Sequence, residues 1–198
     1  MTDPRQHAPA AARNRDPLLA VLRRLAPPIG TMLEIASGSG EHAAHFAAAL
    51  PGLAIQPTDP DPTRRASIDA WCAPLPNVRP AIALDTTATW PPGPFDLILC
   101  CNMIHIAPWA AAEGLIAGAG RIIPPSGILL LYGPFHRQGH PTAPGNEAFD
   151  ATLRTQNPAW GIRSLEAVAA LAHNAGFAPP EITAMPANNL CVAWRRLP

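Results

Sequence analysis

The sequence predicts an α/β fold: a doubly wound, mostly parallel, seven-stranded sheet closed by a C-terminal antiparallel hairpin. Three observations predict it. Short apolar runs alternate with helix-patterned segments along most of the chain, the rhythm of strand–helix–strand units with right-handed crossovers. The run 95–101 is almost continuously apolar, as suits a parallel strand buried on both faces. The 26 prolines cluster between the apolar segments, where their missing N–H does no harm and marks loops.

The elements follow in order. Residues 1–15 read as an N-terminal arm. Asp16-Pro17 reads as a helix start, an N-cap followed by proline in the first turn, and Leu18, Val21, Leu22 and Leu25 give that helix one apolar face. Strands are expected over 32–36, 54–58, 81–84, 95–101 and 128–132, with helices over 43–50, 63–72 and 108–123. Residues 134–163 are polar and rich in Gly, Pro, Asn and His; they read as a substrate-side insertion with one helical turn around Phe149 and Leu153. Ser164 caps a helix that Gly176 closes. Two last strands, over 181–185 and 190–195, flank Pro186-Ala187-Asn188-Asn189, a hairpin turn in which Asn tolerates left-handed backbone geometry.

Composition bounds the function. A chain of 198 residues, 48% hydrophobic, supports one domain spanning 1–198. Its formal net charge is zero, so a broad electrostatic grip on nucleic acid or an anionic membrane is not expected. No apolar run is long enough to span a bilayer, and the N-terminus lacks the apolar stretch of a signal peptide. Cys72, Cys100, Cys101 and Cys191 form no C-x-x-C pair and read as reduced thiols, which points to a cytoplasmic protein. A small-molecule partner is expected, and a homodimer is compatible with the sequence.

Ligands on such sheets bind outside the carboxyl ends of the strands, so the residues after each strand carry the chemistry. After the first come Ala36, Ser37, Gly38, Ser39 and Gly40. The glycines let main chain approach a ligand, and the following helix offers unpaired N–H groups. After the second comes Asp59, about 20 residues on, where an acid accepts from ribose hydroxyls; Asp61 reads as a helix cap. After the third come Asp85 and Thr86, placed to meet an adenine. After the fourth come Asn102, Met103 and His105. The Asn side chain or nearby carbonyls would hold the amino-acid end of a cofactor, and His105 would accept a proton from a substrate nucleophile.

Glu34 decides between cofactor classes. Gly38-Ser39-Gly40-Glu41-His42-Ala43 also fits a relaxed dinucleotide pattern. A carboxylate beneath the glycine turn favours the cationic methionyl end of S-adenosylmethionine, whereas a pyrophosphate wants N–H groups and positive charge. An NAD-dependent oxidoreductase also lacks a Tyr-Lys pair, since the chain has no lysine. A SAM-binding regulator without catalysis is a further alternative. His136 and His140 would suit a metal only on a helix, which Gly139 and Pro141 oppose, so no metal is expected. Trp109, Trp160 and Arg163 are candidates to line an acceptor pocket or to pack the insertion onto the sheet.

Several segments together resemble one family. They are Arg13-Asn14-Arg15-Asp16-Pro17, Leu33 to His42, Gln56 to Asp61, Asn102 to Trp109, Leu131 to Phe135, Asn157 to Arg163 and Met185 to Leu190. The chain is similar to the domain-of-unknown-function 938 family, the methyltransferase-like 26 group, within the class I SAM-dependent methyltransferases. The resemblance implies a Rossmann-like class I methyltransferase fold, S-adenosyl-L-methionine as cofactor and methyl transfer to an oxygen or nitrogen of a small molecule. It implies Glu34, Gly38 and Gly40 on the methionyl side, Asp59 on the ribose, Asp85 with Thr86 on the adenine, Asn102 with Met103 in the loop beyond, and the segment Arg13–Asp16, with Asn14, closing over the cofactor. Gly145-Asn146 stands where a Ser-Asn pair is expected.

Overall fold

The computed structural model describes residues 3–198; Met1 and Thr2, the tip of the expected arm, lie outside the described residues. The chain runs through α1 (Pro9–Leu25), β1 (Gly30–Ile35), α2 (Glu41–Ala49), β2 (Leu53–Pro57), α3 (Pro62–Cys72), β3 (Leu97–Cys101), α4 (Trp109–Ile122) and β4 (Ile128–Gly133). It continues through β5 (Phe135–His136), α5 (Pro144–Gln156), β6 (Arg163–Ser164), α6 (Leu165–Asn174), β7 (Glu181–Met185) and β8 (Asn189–Arg195). The main sheet has the order β2-β1-β3-β4-β8-β7. Its first four strands are parallel, and β8 and β7 are antiparallel.

Side-chain alternation along the strands divides the core in two. Leu97 and Leu99 of β3 join Met32, Ile55 and Leu130 on the face covered by α1 and α2. Ile98 and Cys100 join Leu33, Ile35, Leu129 and Trp194 on the face covered by α4 and α6. The four cysteines are free thiols. Among the described residues no helix is long and apolar enough to cross a membrane.

Four elements differ from the sequence expectation. The sheet has six strands instead of seven. The expected strand over 81–84 is an irregular edge that touches β2 through the bridges Ile55↔Val78 and Thr58↔Ile82. Pro80 lies between those bridges and cannot donate to a ladder. Helix α1 begins at Pro9, capped by Ala8, and Pro17 lies inside it. Asp16-Pro17 has the look of a helix start, but two earlier turns already fix the backbone around it. The arm before α1 is tied down: Gln6 N–H donates to Ser67 Oγ (2.8 Å), and Trp71 Nε1 donates to the Gln6 carbonyl (2.9 Å). The insertion holds a 13-residue helix, α5, instead of a single turn, and β5 pairs with β6 in a small parallel sheet of its own.

The expected caps hold in α6 and α3. Ser164 Oγ accepts from Ala167 N–H, and Asp61 accepts from Thr63 N–H.

One contact anchors the loop that carries Asp85 and Thr86. Trp90 Nε1 donates to the Thr86 carbonyl (3.0 Å), and its ring lies flush against Gly118 on α4. A Cβ there would meet the indole at 2.0 Å. Gly118→Ala is expected to lower stability by about 1–3 kcal/mol, the usual cost of overpacking, in urea unfolding. Unchanged stability would mean the indole swings aside freely.

Candidate active site

The carboxyl ends of β1 and β2 are tied by a compact set of hydrogen bonds. Thr58 N–H and Thr58 Oγ1 both donate to the Glu34 carbonyl (2.9 Å each), and Ser37 N–H donates to the Thr58 carbonyl (2.8 Å). Asp59 closes the set. Its carboxylate accepts from Gly38 N–H (3.1 Å) and from Asp61 N–H (3.0 Å).

The turn between β1 and α2 needs unusual backbone. Ala36 has φ 51°, Gly38 φ 60° and Gly40 φ 91°. Gly40 is the N-cap of α2, and a Cβ on it would meet Ile68 Cα of α3 at 2.6 Å. Positive φ and close approach together require glycine there. Ala36 holds the left-handed conformation despite its Cβ, at a cost of order 1 kcal/mol.

Glu34 lies below this turn, 2% exposed, with Oε2 lacking any hydrogen-bond partner. Burial raises its pKa to about 7, and Ser37 pulls the other way. A buried carboxylate with a free oxygen is costly unless a donor or cation meets it.

Glu41, which sequence reasoning passed over, fills the N-terminus of α2. It accepts from Ala8 N–H (2.6 Å) and Ser39 Oγ (3.0 Å) and approaches His7 Nδ1 (3.3 Å). Burial alone would raise its pKa, but these hydrogen bonds outweigh it and the net shift is downward. Its only sequence signal was an acid in the first helical turn.

Two cavities open at the carboxyl end of the sheet; Glu34, Ser37, Gly38, Gly40 and Asp59 line neither. The first, about 380 Å³, is mainly apolar and is lined by Ile35, Ala36, Leu84, Met103 and Ala111, with Asp85, Thr86 and Thr87 at its edge. Asp85 Oδ1 accepts from Thr87 N–H and Oγ1, which leaves its other oxygen free. Those bonds hold its carboxyl below the ordinary range. The second cavity, about 850 Å³, is lined by Arg13, Asn14, Asn102, Tyr132, Phe149 and Asn188, among others. Ile106 borders both.

Asn14 stands in the wall of the larger cavity through an extended contact. Its Oδ1 lies 2.6 Å from His42 Nε2, whose ring stacks on Phe46. Burial lowers the His42 pKa to about 4. Burial likewise raises the Tyr132 phenol, with the Asn14 amide pulling it back.

His105 lies behind the cavity wall. It is 0% exposed and borders neither cavity. Its Nδ1 accepts from Arg163 N–H (3.3 Å), its carbonyl accepts from Gly161 N–H (2.9 Å), and its ring meets Phe135 edge-on. The Arg163 bond places the imidazole proton on Nε2, which has no partner and faces Gly133, where a Cβ would approach it to 2.6 Å. Burial, with Arg163 nearby, lowers its pKa to about 3. Asn102, at φ 60°, stands between this imidazole and the open space.

Arg163 is a fastener. It donates to the carbonyls of Ile104 (2.9 Å), Ala107 (2.6 Å) and Ala159 (2.8 Å) and lies over Trp109. Trp109 and Trp160 line neither of the two cavities. His136 bonds Thr142 Oγ1 (2.9 Å), while His140 borders a smaller cleft of about 190 Å³ beside α5.

The model of one family matches residues 5–196: protein of unknown function, DUF938. The chain belongs to that family. Solved structures of methyltransferases share its fold. An O-methyltransferase family protein from Burkholderia thailandensis superposes with a TM-score of 0.81 at 18% identity, over 95% of this chain and 57% of that one. Human N-acetylserotonin methyltransferase, solved in complex with SAM, gives 0.81 at 15% identity, over 96% and 53%. CalO1, a methyltransferase in calicheamicin biosynthesis solved with SAH bound, gives 0.75 at 17% identity, over 94% and 54%. The DUF938 chain thus has the class I methyltransferase fold and spans a little over half the length of these structures.

The ionisation of Glu34 is measurable. Its native pKa lies above its unfolded value of 4.5, so the native state binds the extra proton between pH 4.5 and about 7. Stability contributed by this group is therefore present at low pH and lost as pH rises through about 7. Comparing urea unfolding of Glu34→Gln with the parent should show the variant gaining roughly 3 kcal/mol relative to it across that window. A difference flat with pH would mean an ordinary ionisation for Glu34.

Proposed function

We propose that this DUF938 protein binds S-adenosylmethionine and transfers its methyl group to an oxygen or nitrogen of a small-molecule acceptor. One observation carries the reading. An apolar cavity with Asp85 in its lining adjoins a larger cavity across Ile106. That is the arrangement a donor and an acceptor need. The methyltransferase fold and the SAM- and SAH-bound neighbours support it.

The residues fit the cofactor. Ile35, Ala36, Leu84 and Met103 offer apolar surface for an adenine, with the free oxygen of Asp85 facing its amino group. Asp59 has lone pairs left for ribose hydroxyls after meeting Gly38 and Asp61. Glu34, with its orphaned oxygen, meets the cationic methionyl end, directly or through water. Gly38 and Gly40 keep side chains out of the turn beside Ser37; Ala36 and Met103 line the smaller cavity, and Asn102 lines the larger. When bound, the cofactor would supply an electrophilic methyl group on a sulfonium.

The protein's part is alignment and exclusion of water. Asn102 and Tyr132 border the acceptor side and supply its hydrogen bonds. His105 acts in this reading by backing Asn102 and Gly133 through its fixed tautomer, since its burial and low pKa hold it neutral and away from an acceptor. Glu41 opposes the dinucleotide reading: a carboxylate in the first turn of α2 disfavours a pyrophosphate at that helix N-terminus.

Isothermal titration with S-adenosylhomocysteine should give saturable one-to-one binding. Asp59→Ala should weaken it about 10- to 100-fold, the worth of hydrogen bonds to a charged group. Asp85→Ala, at an exposed position, should weaken it about tenfold with unfolding midpoint nearly unchanged. A well-folded parent protein that binds no S-adenosylhomocysteine sinks the proposal.

A further inference from the structure

The larger cavity carries a chemical signature of its own. Two of the most exposed large apolar side chains on the molecule, Ile106 (45%) and Phe149 (40%), border it. Its polar lining is Asn amides, the Tyr132 hydroxyl and one cation, Arg13; no acid lines it. Several arginines elsewhere are matched. Arg24 meets Glu181, Arg154 meets Asp150 (2.7 Å), and Arg163 meets three carbonyls. Among the described residues the Arg13 side chain makes no ion pair.

We infer that this cavity takes an acceptor with a carboxylate on an apolar, ring-sized body, and that Arg13 holds the carboxylate. The inference rests on the methyl-donor reading of the neighbouring cavity. A guanidinium offers two parallel donors to a carboxylate, a bidentate pairing that a neutral amide cannot reproduce. The volume, about 850 Å³, lies in the range of about 300–1,000 Å³ for small-molecule sites. Phe149 and Ile106 supply apolar surface for the ring.

A carboxylate could also come from the methionyl end of the cofactor. The lining favours the acceptor: Arg13 shares this cavity with Asn146 and Phe149 of α5.

The probes are 1-naphthoate and its neutral isostere 1-naphthamide, titrated calorimetrically into the ligand-free protein. Naphthoate should bind at least about tenfold more tightly than naphthamide. Arg13→Gln should erase that preference, Arg13→Lys should keep part of it, and Arg23→Gln, farther along the exposed side of α1, should keep all of it. No binding of naphthoate, equal binding of the two probes, or a preference that survives in Arg13→Gln overturns the inference. S-adenosylhomocysteine is titrated in parallel. A tenfold loss of its affinity in Arg13→Gln, with the naphthoate preference intact, assigns the guanidinium to the cofactor and also overturns it. Failure of S-adenosylhomocysteine to bind the parent protein removes the methyl-donor reading, while the naphthoate titration still decides what Arg13 holds.

Discussion

The tie between the ends of β1 and β2 is the constraint from which the site is built. Thr58 spends both its N–H and its hydroxyl on the Glu34 carbonyl, and Asp59 reaches back to Gly38 N–H. These bonds fix where β1 stops and force the chain to turn at once. The turn then has to run through three positive-φ residues, and α2 can start only where Gly40 passes α3. Because Glu34 points under that turn, the same bonds that hold the loop also bury its carboxylate. Structure and electrostatics therefore share one origin: the backbone is fully satisfied and the side chain is not.

That asymmetry has a functional sense. Hydrogen-bond partners for the Glu34 carboxylate could easily have been supplied from β2 or β3, whose neighbouring residues are apolar or bonded elsewhere. Their absence leaves a group whose charge is expensive in the empty protein and becomes favourable when a cation arrives. Glu41 shows the contrast. It is also buried, but it receives an amide N–H and a hydroxyl, stays ionised and fastens the N-terminal segment. One acid does a structural task and the other is held in reserve, and the difference lies in the number of donors within reach.

Much of this was legible in the sequence because it depends on local chemistry. Glycine spacing, strand-end acids and apolar runs each follow from neighbours within a few residues, and Gly38 and Asp59 stand just beyond β1 and β2 as expected, whereas Asp85 follows an irregular edge in place of a strand. What failed was set by distant contacts. Asp16-Pro17 carries a helix-start signature, yet the packing of Ala11, Asn14 and Leu18 extends the helix two turns earlier. Helix α5 has a Gly, an Asn and two Thr among its 13 residues and only Leu153 buried, so neither propensity nor periodicity announced it. Glu41 and Arg163 act through partners 33 and about 56 residues away, beyond any spacing rule.

The displaced helix start has a consequence for the site. Had α1 begun at Asp16, Arg13 and Asn14 would belong to a free arm. Inside a helix both are held at fixed positions on the cavity wall, Asn14 by its contact with His42. Pro17 cannot donate to the carbonyl of Arg13, four residues back, so that carbonyl loses its helical partner. The interruption falls beside the cavity, where a polar ligand or water can meet the freed group. In the proposed reading, the residues on the acceptor side come from α1, from the turn after β3, from α5 and from the β7–β8 hairpin, whereas those on the donor side come from the end of β1, the loop ending in Thr87, the turn after β3 and the start of α4. The donor side draws on the main-sheet core of the fold, and the acceptor side on helices and turns with few buried residues, α5 among them. Specificity for the acceptor therefore has to be sought in the parts of the sequence least governed by the fold.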